Sequence, residues 1–161
     1  MIPLARAAAE FLSHQRIAIA GVSASGPNSA NVIYRRMRED GYQVFAVNPN
    51  ADYVEGDPSY HSIAEIPGGV DGVVVGTSPG VARAVAQECI ELKVPRVWFH
   101  RSIGRGSYSG PAVDACESAG ISVIAGACPM MFLEHTDNGH RCLKWFFTLT
   151  GKLPRECSYE P

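Results

Sequence analysis

Between residues 15 and 125, short apolar runs alternate about five times with segments of helical pattern. The runs are Arg16-Ile-Ala-Ile-Ala20, Gln43-Val-Phe-Ala-Val47, Asp71-Gly-Val-Val-Val75, Arg96-Val-Trp-Phe99 and Ile121-Ser-Val-Ile124. Runs this short, with little polar alternation, suit strands buried on both faces. Between the first two, Asn31–Arg38 spaces Val32, Ile33 and Met37 helically, with Arg35, Arg36 and Arg38 outward and Gly41 as the stop. Ser78-Pro79 reads as the start of a helix to about Leu92, a hydroxyl cap followed by proline. Pro111 to Ala119 is a third helix. The irregular stretch from Ala51 to Pro67 carries a short strand near Tyr53-Val54 and one helical turn at Ser62–Glu65. Alternation with short connections predicts an α/β, Rossmann-like fold: a doubly wound, mostly parallel sheet of five to six strands, with helices on both faces.

A chain of 161 residues is long enough for one sizeable core. Residues 1–14 read as an N-terminal helix, 15–126 as the Rossmann-like domain, and 127–161 as a helical extension packed on the same domain, its helix at Gly139–Thr150. Apolar residues at 46% and charged residues at 19% mark a globular chain. A formal charge of −2 offers no basic surface for a phosphate backbone, so nucleic acid is not expected as a partner. No stretch is long and apolar enough to span a membrane. Five cysteines, widely spaced and with no CxxC pair, suit reduced thiols and a cytoplasmic location.

In an open parallel sheet, ligands bind beyond the carboxyl ends of the strands, where strand order reverses. Four segments fall at such ends: Gly21–Gly26, Val47–Asn50, Gly76–Pro79 and Phe99–Gly104. The first offers Gly21 for a tight bend, Ser23 and Ser25 as hydroxyl donors, and backbone N–H groups leading into the anion-attracting end of a helix. Turns favour the same residues without any ligand, and four such loops at one edge weigh against that reading. The dinucleotide fingerprint Gly-x-Gly-x-x-Gly would need glycine where Ser23 stands. The second strand ends in Val47-Asn48-Pro49, not in an acid that could bond ribose hydroxyls. A nicotinamide cofactor is therefore disfavoured.

The ordered set Ile19-Ala-Gly-Val-Ser-Ala-Ser25, Gly41-Tyr42, Val47-Asn48-Pro49, Ile66-Pro67, Val70-Asp71 and Val97-Trp98 resembles the stand-alone CoA-binding domain proteins. These are similar to the N-terminal CoA-binding domain of the succinyl-CoA synthetase alpha subunit. The resemblance spans roughly residues 10 to 130 and implies coenzyme A or an acyl-CoA as ligand. By position it implies contacts from Gly21, Ser23, Ala24 and Ser25, from Asn48 and Pro49, from Thr77 and Ser78, and from Trp98, Phe99 and His100. One departure is the segment Phe99-His100-Arg101-Ser102, where related domains carry glutamine-rich sequence. Arg101 there either pairs with a ligand phosphate or points into solvent.

The synthetase relatives owe their catalysis to a further domain and a partner subunit, which this length cannot hold. The resemblance therefore implies binding, as a carrier, sensor or regulatory module, and not ligase activity. Two alternatives stand beside it: an NAD(P)-binding oxidoreductase on the same fold, and an interaction module with a vestigial groove. Cys128, after the last strand, could meet the CoA thiol in a mixed disulfide, although a small apolar filler is the commoner role. Cys128, His135, His140 and Cys142 lack the paired spacing of a zinc site, and no metal is expected. His100 reads as a ligand contact before a catalytic base, and His14 and His61 as surface residues. The Trp145-Phe146-Phe147 cluster reads as core, or as the subunit contact of a homodimer.

Overall fold

The computed structural model describes residues 1–101, 106–133, 138–151, 153–154 and 156–158. The chain begins with β1 (Ile2–Pro3), α1 (Leu4–Leu12), β2 (Arg16–Ala20), α2 (Ser29–Glu39) and β3 (Gln43–Val47). A hairpin of β4 (Tyr53–Val54) and β5 (Asp57–Tyr60) follows, then β6 (Gly72–Val75), α3 (Pro79–Glu91) and β7 (Arg96–His100). The last elements are α4 (Gly110–Ser118), β8 (Ser122–Ala127), α5 (Asn138–Leu149) and β9 (Glu156–Cys157). Single 3-10 turns lie at Ile63–Glu65 and Pro129–Met131.

The main sheet has seven strands in the order β4-β5-β3-β2-β6-β7-β8, and β1 pairs separately with β9. Every neighbouring pair in the main sheet is parallel except β4 with β5. The Rossmann-like α/β fold is therefore present, with one strand more than the five to six expected. The additional strand is β5, Asp57-Pro58-Ser59-Tyr60, which has no apolar run and contains a proline. It pairs with β3 only at Ser59 and Tyr60, so Pro58 removes no donor from that ladder.

Side-chain alternation assigns the two faces of the sheet. Ile19, Val74, Trp98 and Ile124 stand in register across four strands. They pack against Phe11 of α1 and Ile33 and Met37 of α2. On the other face Ala18, Val73, Val97 and Val123 form the matching row, covered by Ala82, Ala86 and Cys89 of α3 and Val113 and Cys116 of α4. Phe11 sits edge-on to Trp98, their ring centroids 5.3 Å apart, and the Trp98 indole N–H donates to the Ala127 carbonyl at 3.0 Å. One residue earlier on α1, Glu10 is held by the Arg96 guanidinium at 2.8 Å, which ties α1 to the start of β7.

Strand β2 lies between β3 and β6. Helix α2 carries the chain from β2 to β3, and the chain then returns to pair on the other side of β2. Strand order reverses there, which opens a crevice beyond the carboxyl ends of β2 and β6.

Phe11 is fully buried and locks α1 over Trp98. Phe11→Ala should cost about 3–5 kcal/mol in chemical denaturation, the range for deleting a core aromatic ring. A loss below about 1 kcal/mol would mean that α1 adds little to the core.

Candidate functional site

At the strand-order reversal, β2 and β6 end in two glycines in close contact. Gly21 has φ +100°, and a Cβ placed on it would lie 2.8 Å from the Gly76 carbonyl carbon and oxygen. A Cβ on Gly76 would lie 2.7 Å from the Cβ of Ala30 in α2. Both positions need a residue without a side chain, one for backbone conformation and contact, the other for helix-on-strand packing. The loop leaving Gly21 is thereby seated directly against Thr77 at the start of the β6–α3 connection.

The third strand joins the same constellation. The Gly21 N–H donates to the Val47 carbonyl at 3.1 Å, and the Asn48 amide donates to the Val22 carbonyl at 2.8 Å. Asn48 also accepts from the Asn50 N–H at 2.8 Å, which fixes the turn at Pro49. The loops after β2, β3 and β6 therefore form one hydrogen-bonded rim.

Inside the first loop, Asn31 is the organising side chain. It is 2% exposed, accepts from the Ser23 N–H at 2.9 Å and donates to the Ser23 carbonyl at 2.9 Å. It also forms a capping box with Asn28, the residue that caps α2. Asn28 donates in turn to the Gly21 carbonyl at 2.9 Å. Ser23 Oγ accepts from the Ser25 N–H at 3.2 Å and lies 3.1 Å from Ser25 Oγ. Among the described residues, the N–H groups of Ala24 and Gly26 have no partner. Those two donors and the Ser25 hydroxyl belong to the loop that leads into the first turn of α2, a setting that attracts anions.

The sequence-derived site residues divide into two groups. Gly21, Ser23, Ala24, Ser25, Asn48, Pro49, Thr77 and Ser78 come together at the rim. Thr77 donates its hydroxyl to the Ser78 carbonyl at 3.2 Å, while the exposed Ser78 hydroxyl makes no bond to the helix it caps. Trp98 and Phe99 are instead fully buried, one in each core, so their rings pack the sheet. His100 is 5% exposed, and burial, with a smaller contribution from His140, lowers its pKa to about 4. Cys128 is 4% exposed and packs with the α1–α2 core. Ser102, Gly104 and His135 lie outside the described residues, as do the side chains of Cys142, Trp145, Phe146 and Phe147.

The sequence reading missed the hub Asn31 and the hairpin beside it. Asn28-x-x-Asn31 ahead of an apolar-periodic stretch is a capping-box spacing, and that was the available signal. The β4–β5 hairpin turns at Glu55 and Gly56, both with positive φ. Glu55 accepts from the Asn31 amide at 2.5 Å and from Arg35 Nη1 at 3.2 Å. The Asn31 hydrogen bond, aided by Arg35, lowers the Glu55 pKa and keeps it ionised. Asp57 is lowered likewise, first by the Tyr34 hydroxyl and then by Arg38, both on α2. Between this hairpin and the loop lies an open cavity of about 320 Å³, lined by Ser23, Gly26, Arg35, Tyr53 and Glu55 among others.

An open parallel α/β sheet whose loops converge on its strand-order reversal defines a nucleotide-type ligand-binding fold. The family model described as "CoA binding domain" matches residues 15–134, and the chain belongs to that family. The protein called "Uncharacterized protein YneT" in Bacillus subtilis (strain 168) is 28% identical over 114 residues, 71% of this chain and 82% of that one. The structure of a hypothetical protein from Pyrococcus horikoshii OT3 superposes with a TM-score of 0.74 at 26% identity, covering 82% of this chain and 91% of that chain. A dinucleotide forming acetyl-coenzyme A synthetase 1 from Ca. Korarchaeum cryptofilum shares the fold at a TM-score of 0.57 and 23% identity. That match covers 67% of this chain and 25% of the synthetase chain.

The lowered pKa of His100 has a consequence for stability. Its neutral form is favoured in the fold, so its contribution is complete above about pH 6.5 and is lost as pH falls through about 4. Comparing denaturation at about pH 7 and about pH 4.5, wild type should lose about 2 kcal/mol more stability than His100→Gln. Equal losses in the two proteins would show that His100 is protonated without penalty.

Proposed function

We propose that this chain binds coenzyme A or an acyl-CoA at the rim formed by the loops after β2, β3 and β6. In this reading the Gly21–Gly26 loop and the amino end of α2 take the diphosphate. The N–H groups of Ala24 and Gly26 and the hydroxyls of Ser23, Ser25 and Ser78 supply the hydrogen bonds. The observation that carries it is the pair of unbonded N–H donors, Ala24 and Gly26, on a loop that Asn31 and Asn28 hold through the Ser23 N–H and the Ser23 and Gly21 carbonyls. A pre-formed anion cradle loses little entropy on binding, which favours recognition of phosphate.

The role that fits is a carrier, sensor or regulatory module. The groups at the rim are hydrogen-bond donors, and none of them forms a nucleophile–base pair among the described residues. His100 is buried and Cys128 packs with the core, so neither presents a reactive group to the rim. An NAD(P) enzyme is less well supported, because Asn48 stands where a ribose-binding acid would be and is spent on Val22 and Asn50.

Titration calorimetry with CoA, acetyl-CoA, NAD and NADP tests the reading. Binding of the CoA species and weak or absent binding of NAD is the expected result. NAD binding without CoA binding would overturn it. Ser23→Asp places a carboxylate against the phosphate position and should weaken CoA by about 100-fold or more, as like-charge opposition in a desolvated site does. Unchanged affinity in that variant would put the phosphates elsewhere.

A further inference from the structure

The cavity between the loop and the hairpin is lined by one arginine, Arg35, that the diphosphate reading does not use. Arg35 projects from α2 into it, with 41% of its side chain exposed. Only one of its nitrogens, Nη1, is engaged, by both oxygens of Glu55 at 3.2 Å. Its Nη2 and Nε groups have no acceptor among the described residues. Glu55 is itself anchored by Asn31, the residue that shapes the Ser23 loop. The guanidinium is therefore fixed in place by a chain of bonds that begins at the loop, yet keeps most of its fork open. A free surface arginine would lose side-chain entropy on meeting an anion; this one has already lost much of it.

The position of the cavity decides which part of a ligand it meets. It lies on the β3 side of the loop, walled by the β4–β5 hairpin that follows β3. In folds of this topology the nucleoside end of the ligand lies toward the strand after the first helix, and ribose-bound phosphate is met there by arginine. Tyr53, 69% exposed at the cavity mouth, adds an aromatic surface suited to a base.

We propose that Arg35 recognises a second phosphate of the ligand, the monoester on the adenosine ribose, separately from the diphosphate held by the Gly21–Gly26 loop. Arg35 then sets specificity for the 3′-phosphorylated nucleotide, and Glu55 is a positioning residue that presents its guanidinium. This inference rests on the CoA reading of the preceding subsection.

Titration of the full chain and of Arg35→Gln with CoA and with 3′-dephospho-CoA tests it. Wild type should prefer CoA by about tenfold or more, the worth of a charge-assisted pair. Arg35→Gln should abolish that preference by weakening CoA alone, with dephospho-CoA bound as in wild type. Retained affinity for dephospho-CoA also shows that the variant is folded. No preference in wild type, a preference that survives in the variant, or an equal loss of both ligands would each overturn the proposal. Failure of wild type to bind either ligand would instead reject the CoA reading itself, and this inference with it.

Discussion

Gly21 and Gly76 touch backbone to backbone where strand order reverses, and the geometry of the whole ligand edge follows from that contact. A side chain on either would push β2 from β6 or lift α2 from the sheet. With both absent, the amino end of α2 descends close to the strand ends, and the loop between them is short and pinned. The Gly21 N–H then reaches Val47, and Asn48 reaches back to Val22, so the third strand is drawn into the same rim. Three loops that are far apart in sequence become one surface through a single tight approach.

The polar network around Asn31 converts this geometry into a defined site. A buried amide that both donates and accepts leaves the Ser23 peptide no freedom to rotate. The same side chain reaches Glu55, which connects the loop to the hairpin and the hairpin to α2 through Arg35 and Arg38. An apolar core on both faces of the sheet keeps this arrangement rigid, with Phe11 and Trp98 filling one face and Phe99 the other.

Much of this was legible in the sequence. The apolar runs ending at Ala20, Val47 and Val75 coincide with strand ends, because a strand buried on both faces can hardly be written otherwise. The helix opening at Ser78-Pro79 was announced by its own cap chemistry. Strand β5 was not legible: Asp57-Pro58-Ser59-Tyr60 owes its conformation to the hairpin and to two pairings with β3, not to its composition. Strand β8 runs on to Ala127, past the apolar signal at Ile124, since Ala-Gly-Ala takes strand form only by pairing with β7. At the site, loop residues could be read from turn chemistry and position, whereas inward or outward orientation could not. Trp98 and Phe99 therefore appeared as contacts, and the structure places their rings in the two cores.

A crystal structure of the chain with CoA tests whether the loop between Gly21 and Gly26 is a diphosphate cradle. The diphosphate should lie within hydrogen-bond distance of the Ala24 and Gly26 N–H groups, at the amino end of α2. A diphosphate held elsewhere, for example in the groove beside Phe45 and Tyr60, with the loop empty, would contradict it.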